Sequence, residues 1–296
     1  MLLKKIQKKN VLNGNVVKKK VFTSFKPYIL SRHPSHDPLR KGLPLLPFRS
    51  LVRLGSTTVL NDDKSRVEIN SVQGVKNSSN KLLMKKCFTR VGVKTAQWWT
   101  VDTNHINFYL NGNPAVAGTT PNTSGNLPYP IVVKSLHGSR GEGNFKFDNQ
   151  RALEQWMQGK NLSNYILERF STFSKEYRIH VTNSGCFYAC RKLVKNTAPE
   201  GMWQKHDDGN IAWILQSNES FKQPSNWNSI VEDCIRAKNS LGLDICSFDV
   251  MVQGSSKTNP DWIIIESQSA PSFGDVTLQK YIEVLPQLIK DKRNNG

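Results

Sequence analysis

The residues of this chain best suited to chemistry lie near its C-terminal end. In Ile263-Ile264-Ile265-Glu266-Ser267-Gln268, three β-branched apolar residues lead into a carboxylate and then, two positions on, a side-chain amide. Side chains two apart on a strand share a face, so Glu266 and Gln268 present hard oxygen ligands to one spot. Upstream, Phe248-Asp249-Val250-Met251-Val252 is a second apolar strand pattern broken by one carboxylate. Two strands of this kind suit Mg²⁺ held against a substrate phosphate. Earlier still, the short strand Ile131-Val132-Val133-Lys134 enters the loop Ser135-Leu136-His137-Gly138-Ser139-Arg140-Gly141-Glu142-Gly143. Gly138, Gly141 and Gly143 let backbone amides approach an anion closely, and Lys134 adds a point charge for the same phosphates. The loop is neither GxxxxGK[ST] nor GxGxxG, and by itself it reads as a turn. Its weight comes from the strand-borne acids that follow it.

The elements that must position these groups alternate between strand and helix. Leu51 to Ser56 reads as a strand ending in a turn, and Asn80 caps a helix through Phe88 that stops at Gly92. Val93 to Thr100 reads as a strand, 111–130 as a loop, Asn149 to Gln158 as a helix ended by Gly159. Tyr165 to Phe170 and Tyr177 to Val181 are strands, with Cys186 to Arg191 pairing back after Asn183-Ser184-Gly185. Helices follow over Ser229–Leu241 and Thr277–Lys290. Mixed strands, helices and hairpins predict an α+β fold.

Composition sets the outer bounds. At 296 residues and 38% hydrophobic, the chain can bury a sizeable core. No apolar run approaches the roughly 18 residues that span a bilayer, so no membrane partner is expected. Five cysteines (Cys87, Cys186, Cys190, Cys234, Cys246) form no metal-type pair and read as reduced thiols. The net charge is +18, but residues 1–60, with nine Lys, four Arg and the single acid Asp37, carry +12 of it. That concentration predicts a basic flexible arm over 1–48, with polyanion contact through residues 1–45.

Taken together, these motifs resemble the ATP-grasp superfamily from about Leu51 to Lys290, most closely the short ATP-grasp proteins of tailed bacteriophages. Asn80-Lys81 followed by Val91-Gly92-Val93-Lys94-Thr95 looks like the family's "(D/N)K … aGvpTp" helix and strand. The resemblance implies two α+β subdomains clasping a nucleotide. It divides the chain into a basic disordered arm, a truncated pre-ATP-grasp segment over 49–80, and an ATP-grasp domain over 81–292 with its lid at about 100–170. ATP and Mg²⁺ (or Mn²⁺) are the implied cofactors. Lys81 and Lys134 would reach the phosphates under a lid of Gly138, Ser139, Gly141 and Gly143. Glu168-Arg169-Phe170 would meet adenine as the hinge, Glu176 the ribose, and Asp249, Glu266 and Gln268 the metal. Gln268 stands where the family pattern has Asn, and its longer stem moves the amide oxygen by about one bond length from where an octahedral ion needs it.

The reaction implied is activation of a carboxylate as an acyl phosphate, which an amine then attacks. Cations must offset the charge that develops on the phosphoryl group and oxyanion, and Arg178 and Arg191 are first choices, ahead of Lys192, Lys205 and His206. The rival is a catalytically weakened ATP-grasp protein acting as a nucleotide-binding or nucleic-acid and virion interaction module through its basic arm. A cytoplasmic location, that of the host if phage-encoded, goes with either.

Overall fold

The structure is a computed structural model that describes residues 23–61, 66–101, 108–112 (backbone alone), 127–138, 141–199, 202–203, 209–254 and 258–295. Along the chain, β1 (Tyr28–Ser31), α1 (Asp37–Gly42), β2 (Ser50–Leu54) and β3 (Val67–Ile69) build a small sheet, β1-β2-β3, with parallel pairing throughout. Two helices follow, α2 (Val72–Ser79) and α3 (Lys81–Arg90). Then come β4 (Trp98–Val101), β5 (Phe108–Gly112), β6 (Ile131–Ser135), β7 (Asn144–Phe147), α4 (Gln150–Met157) and β8 (Tyr165–Arg169). These strands make an antiparallel sheet in the order β5-β4-β8-β6-β7. The rest is β9 (Lys175–Thr182), β10 (Gly185–Val194), β11 (Ile211–Leu215), α5 (Trp227–Leu241), β12 (Cys246–Val252), β13 (Trp262–Gln268) and α6 (Asp275–Asn295). Its strands form a second antiparallel sheet, β11-β10-β9-β12-β13.

Local chemistry explains many of the ends. The Asn80 side chain accepts from the Leu83 amide at 3.0 Å, and Asn149 from Ala152 at 3.0 Å, so both helices begin at an Asn cap. Gly242 closes α5 in a left-handed conformation, φ 78°. The sheet of β4–β8 buries one face against α4, through Leu153, Met157, Ile131, Val133 and Leu167. The β9–β13 sheet buries one face against α3 and α5, through Met84, Phe88, Ile230, Tyr177, Ile179, Phe248 and Val250. Each sheet therefore keeps its other face for polar side chains, and the strands β8 and β9 are joined by only residues 170–174.

The sequence reading assigned 1–48 to a flexible arm. From Thr23 on, the described residues are instead folded: Ile29, Leu39, Leu43 and Leu46 are buried with Val52, Leu54 and Ile69 against Tyr281, Leu285 and Ile289 of α6. No period was visible because a four-residue strand and a six-residue helix are each too short to show one, and their apolar partners lie on the last helix. Asn70 ties this unit to β12. Its side chain donates to the carbonyls of Arg53 and Ile245 at 3.1 and 3.0 Å and accepts from the amides of Asp244 and Ile245 at 2.8 and 3.1 Å. Among the described residues no helix is long and apolar enough to cross a membrane, and the five cysteines are free.

Candidate functional site

Register decides which side chains meet. On β9 and β12, Arg178 lies opposite Asp249; on β12 and β13, Asp249 lies opposite Glu266 and Ser247 opposite Gln268; on β9 and β10, Glu176 lies opposite Lys192. Paired residues share a face, so Glu176, Arg178, Lys192, Asp249, Glu266 and Gln268 occupy one surface. Arg178 grips Asp249 with two hydrogen bonds, Nε to Oδ1 at 2.8 Å and a terminal nitrogen to Oδ2 at 3.0 Å. Lys192 Nζ bridges Glu176 and Asp249, reaching Oδ2 of the latter at 2.9 Å. Gln268 turns its amide nitrogen, not its oxygen, to Asp249 (3.1 Å) and Glu266 (3.2 Å). The Trp213 ring covers the pair, 4.8 Å from the Arg178 guanidinium and 5.6 Å from Lys192 Nζ. Burial would raise the Asp249 carboxyl, but Arg178 and Lys192 outweigh it and hold the group well below the carboxylate range.

A second charged cluster faces this one. Glu168, 2% exposed, pairs with Lys134 Nζ at 2.8 Å through one oxygen and with Lys85 Nζ at 3.2 Å through the other. Burial again acts to raise the carboxyl; Lys134 and Lys85 pull it below its usual value. Lys85 is fully buried and also bonded to Thr95, and burial pushes it down to about 8. Lys81, one helical turn earlier, donates to the Gly138 carbonyl at 2.6 Å and is lowered chiefly by burial. Glu266 connects the two clusters, since its charge is felt by Lys81, Lys85 and Arg178.

The glycine loop joins β6 to β7. Gly143 holds φ +72° with the Ser135 Cβ 2.7 Å from where its own Cβ would be, so a side chain there is excluded twice. At Gly138 a Cβ would sit 2.2 Å from the Glu142 carbonyl oxygen. Gly141 accepts from the Asn144 amide at 3.1 Å. Ser139, Lys205 and His206 lie outside the described residues.

One expectation needs correction. Arg191 lies on the opposite face from Lys192 and donates to the Ser220 carbonyl at 2.9 Å, a contact that braces the turn after β11. The cause is a bulge in the β9–β10 hairpin between Cys186 and Tyr188, which shifts the register by one residue and turns Lys192 inward. At the expected hinge, the amides of Arg169 and Phe170 donate to the carbonyls of Gln97 and Pro130, at 2.9 and 3.0 Å. The Glu168 side chain belongs to the lysine cluster, Arg169 is exposed, and the Phe170 ring lies beneath Lys146 Nζ at 4.8 Å and 6.2 Å from Trp203. Lys192 was a candidate ranked behind Arg191, whereas Lys85 and Trp213 were missed. Lys85 had a signal, its i,i+4 spacing from Lys81 on one helix face.

Arg178→Ala, which strips a buried carboxylate of its two-bonded partner, is therefore expected to cost about 3–5 kcal/mol of stability, and Arg191→Ala, which loses one bond to a carbonyl, clearly less; urea denaturation of both variants compares them.

The carboxylate and amide oxygens here are the donors Mg²⁺ prefers. Glu266 suits such an ion. Asp249 is more heavily engaged, its Oδ1 accepting from Arg178 and its Oδ2 from Arg178, Lys192 and Gln268. Among the described residues no three His, Cys, Asp or Glu side chains gather as a metal cage.

No protein-family model matches this sequence, and no curated protein does. Solved structures do match. The chain superposes on D-alanine–D-alanine ligase from Bacillus anthracis, complexed with ATP, with a TM-score of 0.59 at 9% identity, covering 91% of this chain and 99% of that one. Carboxyaminoimidazole ribonucleotide synthase from Aspergillus clavatus, complexed with ATP, gives 0.54 at 14% identity over 81% of this chain. Biotin carboxylase from Campylobacter jejuni gives 0.53 at 14% identity over 82% of this chain. The fold is the ATP-grasp fold. This chain spans 60% of the synthase and 54% of the carboxylase, so parts of those proteins have no counterpart in it. At such identities the likeness concerns the ATP-grasp fold alone.

Proposed function

We propose that this protein is an ATP-dependent ligase that activates a carboxylate as an acyl phosphate for attack by an amine. The observation that carries the reading is the Glu266 carboxylate, which shares a sheet face with Arg178 and Asp249 and lies within electrostatic reach of Lys81, Lys85 and Arg178. A polyphosphate needs this disposition: cations along its length, and one free carboxylate to hold a divalent ion against it. Lys81 and Lys134 would bind phosphate oxygens, the 138–143 loop would cover them, and Glu176 would accept from the ribose hydroxyls. Arg178 and Lys192, held in place by Asp249 and Trp213, would stabilise charge on the transferring phosphoryl group. Glu266 would hold the Mg²⁺ (or Mn²⁺), which on binding supplies Lewis-acid neutralisation of the phosphate oxygens.

Isothermal calorimetry with ATP and Mg²⁺ tests the reading. Binding that weakens by about tenfold or more in Lys134→Ala, a charge-assisted contact of roughly 1.5–3 kcal/mol, is the expected result. No heat of binding at millimolar nucleotide would sink it. A second reading, a nucleotide-binding module of reduced catalytic power, is favoured by the Gln268 amide nitrogen facing the carboxylates. The polyanion contact of residues 1–45 belongs to that second reading. Release of ADP, screened against amino acids, peptides and polyamines, separates the two.

A further inference from the structure

Asp249 conflicts with its expected role as a metal ligand. It faces Glu266 directly across β12 and β13, a placement in which like charges repel unless a cation lies beside them. The cations present are side chains. Arg178 takes one position on each oxygen at 2.8 and 3.0 Å, and Lys192 and Gln268 add two donors to Oδ2 at 2.9 and 3.1 Å. A carboxylate has about four lone-pair sites, two on each oxygen; three donors crowd Oδ2 and Arg178 Nε takes Oδ1 of this group, which is 4% exposed.

Backbone pairing sets these contacts. Arg178 is the register partner of Asp249 on β9, and Lys192 the register partner of Glu176 on β10. Trp213 lies over both cations. By contrast, among the described residues Glu266 accepts one hydrogen bond, from Gln268 to Oε1 at 3.2 Å, and keeps Oε2 open. An octahedral ion commonly needs only one or two carboxylates when phosphates and waters complete its shell.

We propose that Asp249 is not a metal ligand but the anchor of a fixed cation pair, Arg178 and Lys192, which takes the place of a second metal, so that nucleotide binds with one divalent ion on Glu266. The proposal rests on the ATP reading above and narrows it. Its consequence is that part of the phosphate neutralisation is built into the sheet and does not depend on metal concentration.

The test is Mn²⁺ uptake by the full chain, followed by electron paramagnetic resonance with a non-hydrolysable ATP analogue, beside calorimetry of the analogue itself. One Mn²⁺ per chain is expected. Glu266→Gln should weaken that uptake by about 10–100-fold or more, and Asp249→Asn should leave it nearly unchanged. Because Asp249→Asn strips two buried cations of a partner and can unfold the chain, Arg178→Met, which leaves Lys192 and Gln268 on Oδ2 but clears Oδ1, is the second variant. Uncovering Oδ1 should there raise the count from one Mn²⁺ to two. Two Mn²⁺ in the parent chain, loss of Mn²⁺ in a folded Asp249→Asn chain, or an Arg178→Met chain that stays at one would each overturn the inference while leaving the ATP reading intact. A chain that takes up neither analogue nor Mn²⁺ overturns the ATP reading, and the inference with it.

Discussion

Glu168→Gln is expected to destabilise the protein by about 3–5 kcal/mol, the range for removing one partner of a buried ion pair. Glu168 is 2% exposed and serves two lysines, Lys134 at 2.8 Å and Lys85 at 3.2 Å. The amide keeps the shape but not the charge, and it leaves Lys85 ammonium inside the protein with Thr95 as its remaining partner. At roughly 2–4 °C per kcal/mol for a chain of this size class, the melting temperature should fall by about 6–20 °C. The double variant Glu168→Gln, Lys85→Met removes the uncompensated charge and should recover most of that loss. Urea denaturation of the three chains measures both effects, and a single-variant loss under about 1 kcal/mol would contradict the assignment. The same substitution frees Lys134, so on the proposed ligase reading nucleotide affinity and stability should move in opposite directions.

The second large effect is a loss of stability in mild acid. His180 is 1% exposed among Phe187, Tyr188 and Tyr281, with Nδ1 3.2 Å from the Tyr281 hydroxyl. Burial, aided by Arg178, pushes its pKa down to about 3 from the ordinary 6.5. The folded state thus keeps the ring neutral while the unfolded chain binds a proton below pH 6.5, so stability falls as pH drops from 6.5 toward 3. By pH 5 the cost is about 2 kcal/mol. His36, buried and lowered by desolvation, acts in the same direction. Glu168 and Asp249 act in a lower window. Their pKa values are depressed by paired cations, so their contribution is complete above about pH 4 and is lost as pH falls further. Denaturation midpoints at pH 7.5 and pH 5 should differ, and His180→Phe, whose ring suits the aromatic surroundings, should remove part of that difference. Equal midpoints in the parent chain would refute the neutral-histidine account.

Several of these groups were visible before the fold was. Lys134, Gly138–Gly143, Glu176, Asp249 and Glu266 all stand at ends or on faces of strands whose apolar runs are readable in one dimension. The Asn80 cap and the Lys81 helix were equally plain, because an N-cap acts over three residues. Arg191 ranked ahead of Lys192 in the sequence, and strand register reverses that order. Counting back from the Asn183-Ser184-Gly185 turn with regular pairing brings Arg191 opposite Glu176, and one extra residue at the Cys186–Tyr188 bulge brings Lys192 there instead. A bulge leaves no compositional mark here, yet it exchanges every side chain between the two faces beyond it.

The N-terminal unit shows the same limit at longer range. Its lysines and prolines imply an open arm, and only the packing of Leu39, Leu43 and Leu46 on α6 makes the described part a folded unit. What the sequence determined by itself is the set of elements and the chemical types they carry, since capping, alternation and glycine placement act within a few residues. Tertiary structure decided the partners: Lys85 with Glu168, Lys192 with Asp249, Gln268 with both carboxylates. Which charge meets which depends on register across strands far apart in the chain, and burial then makes those pairs strong enough to govern what Asp249 can bind.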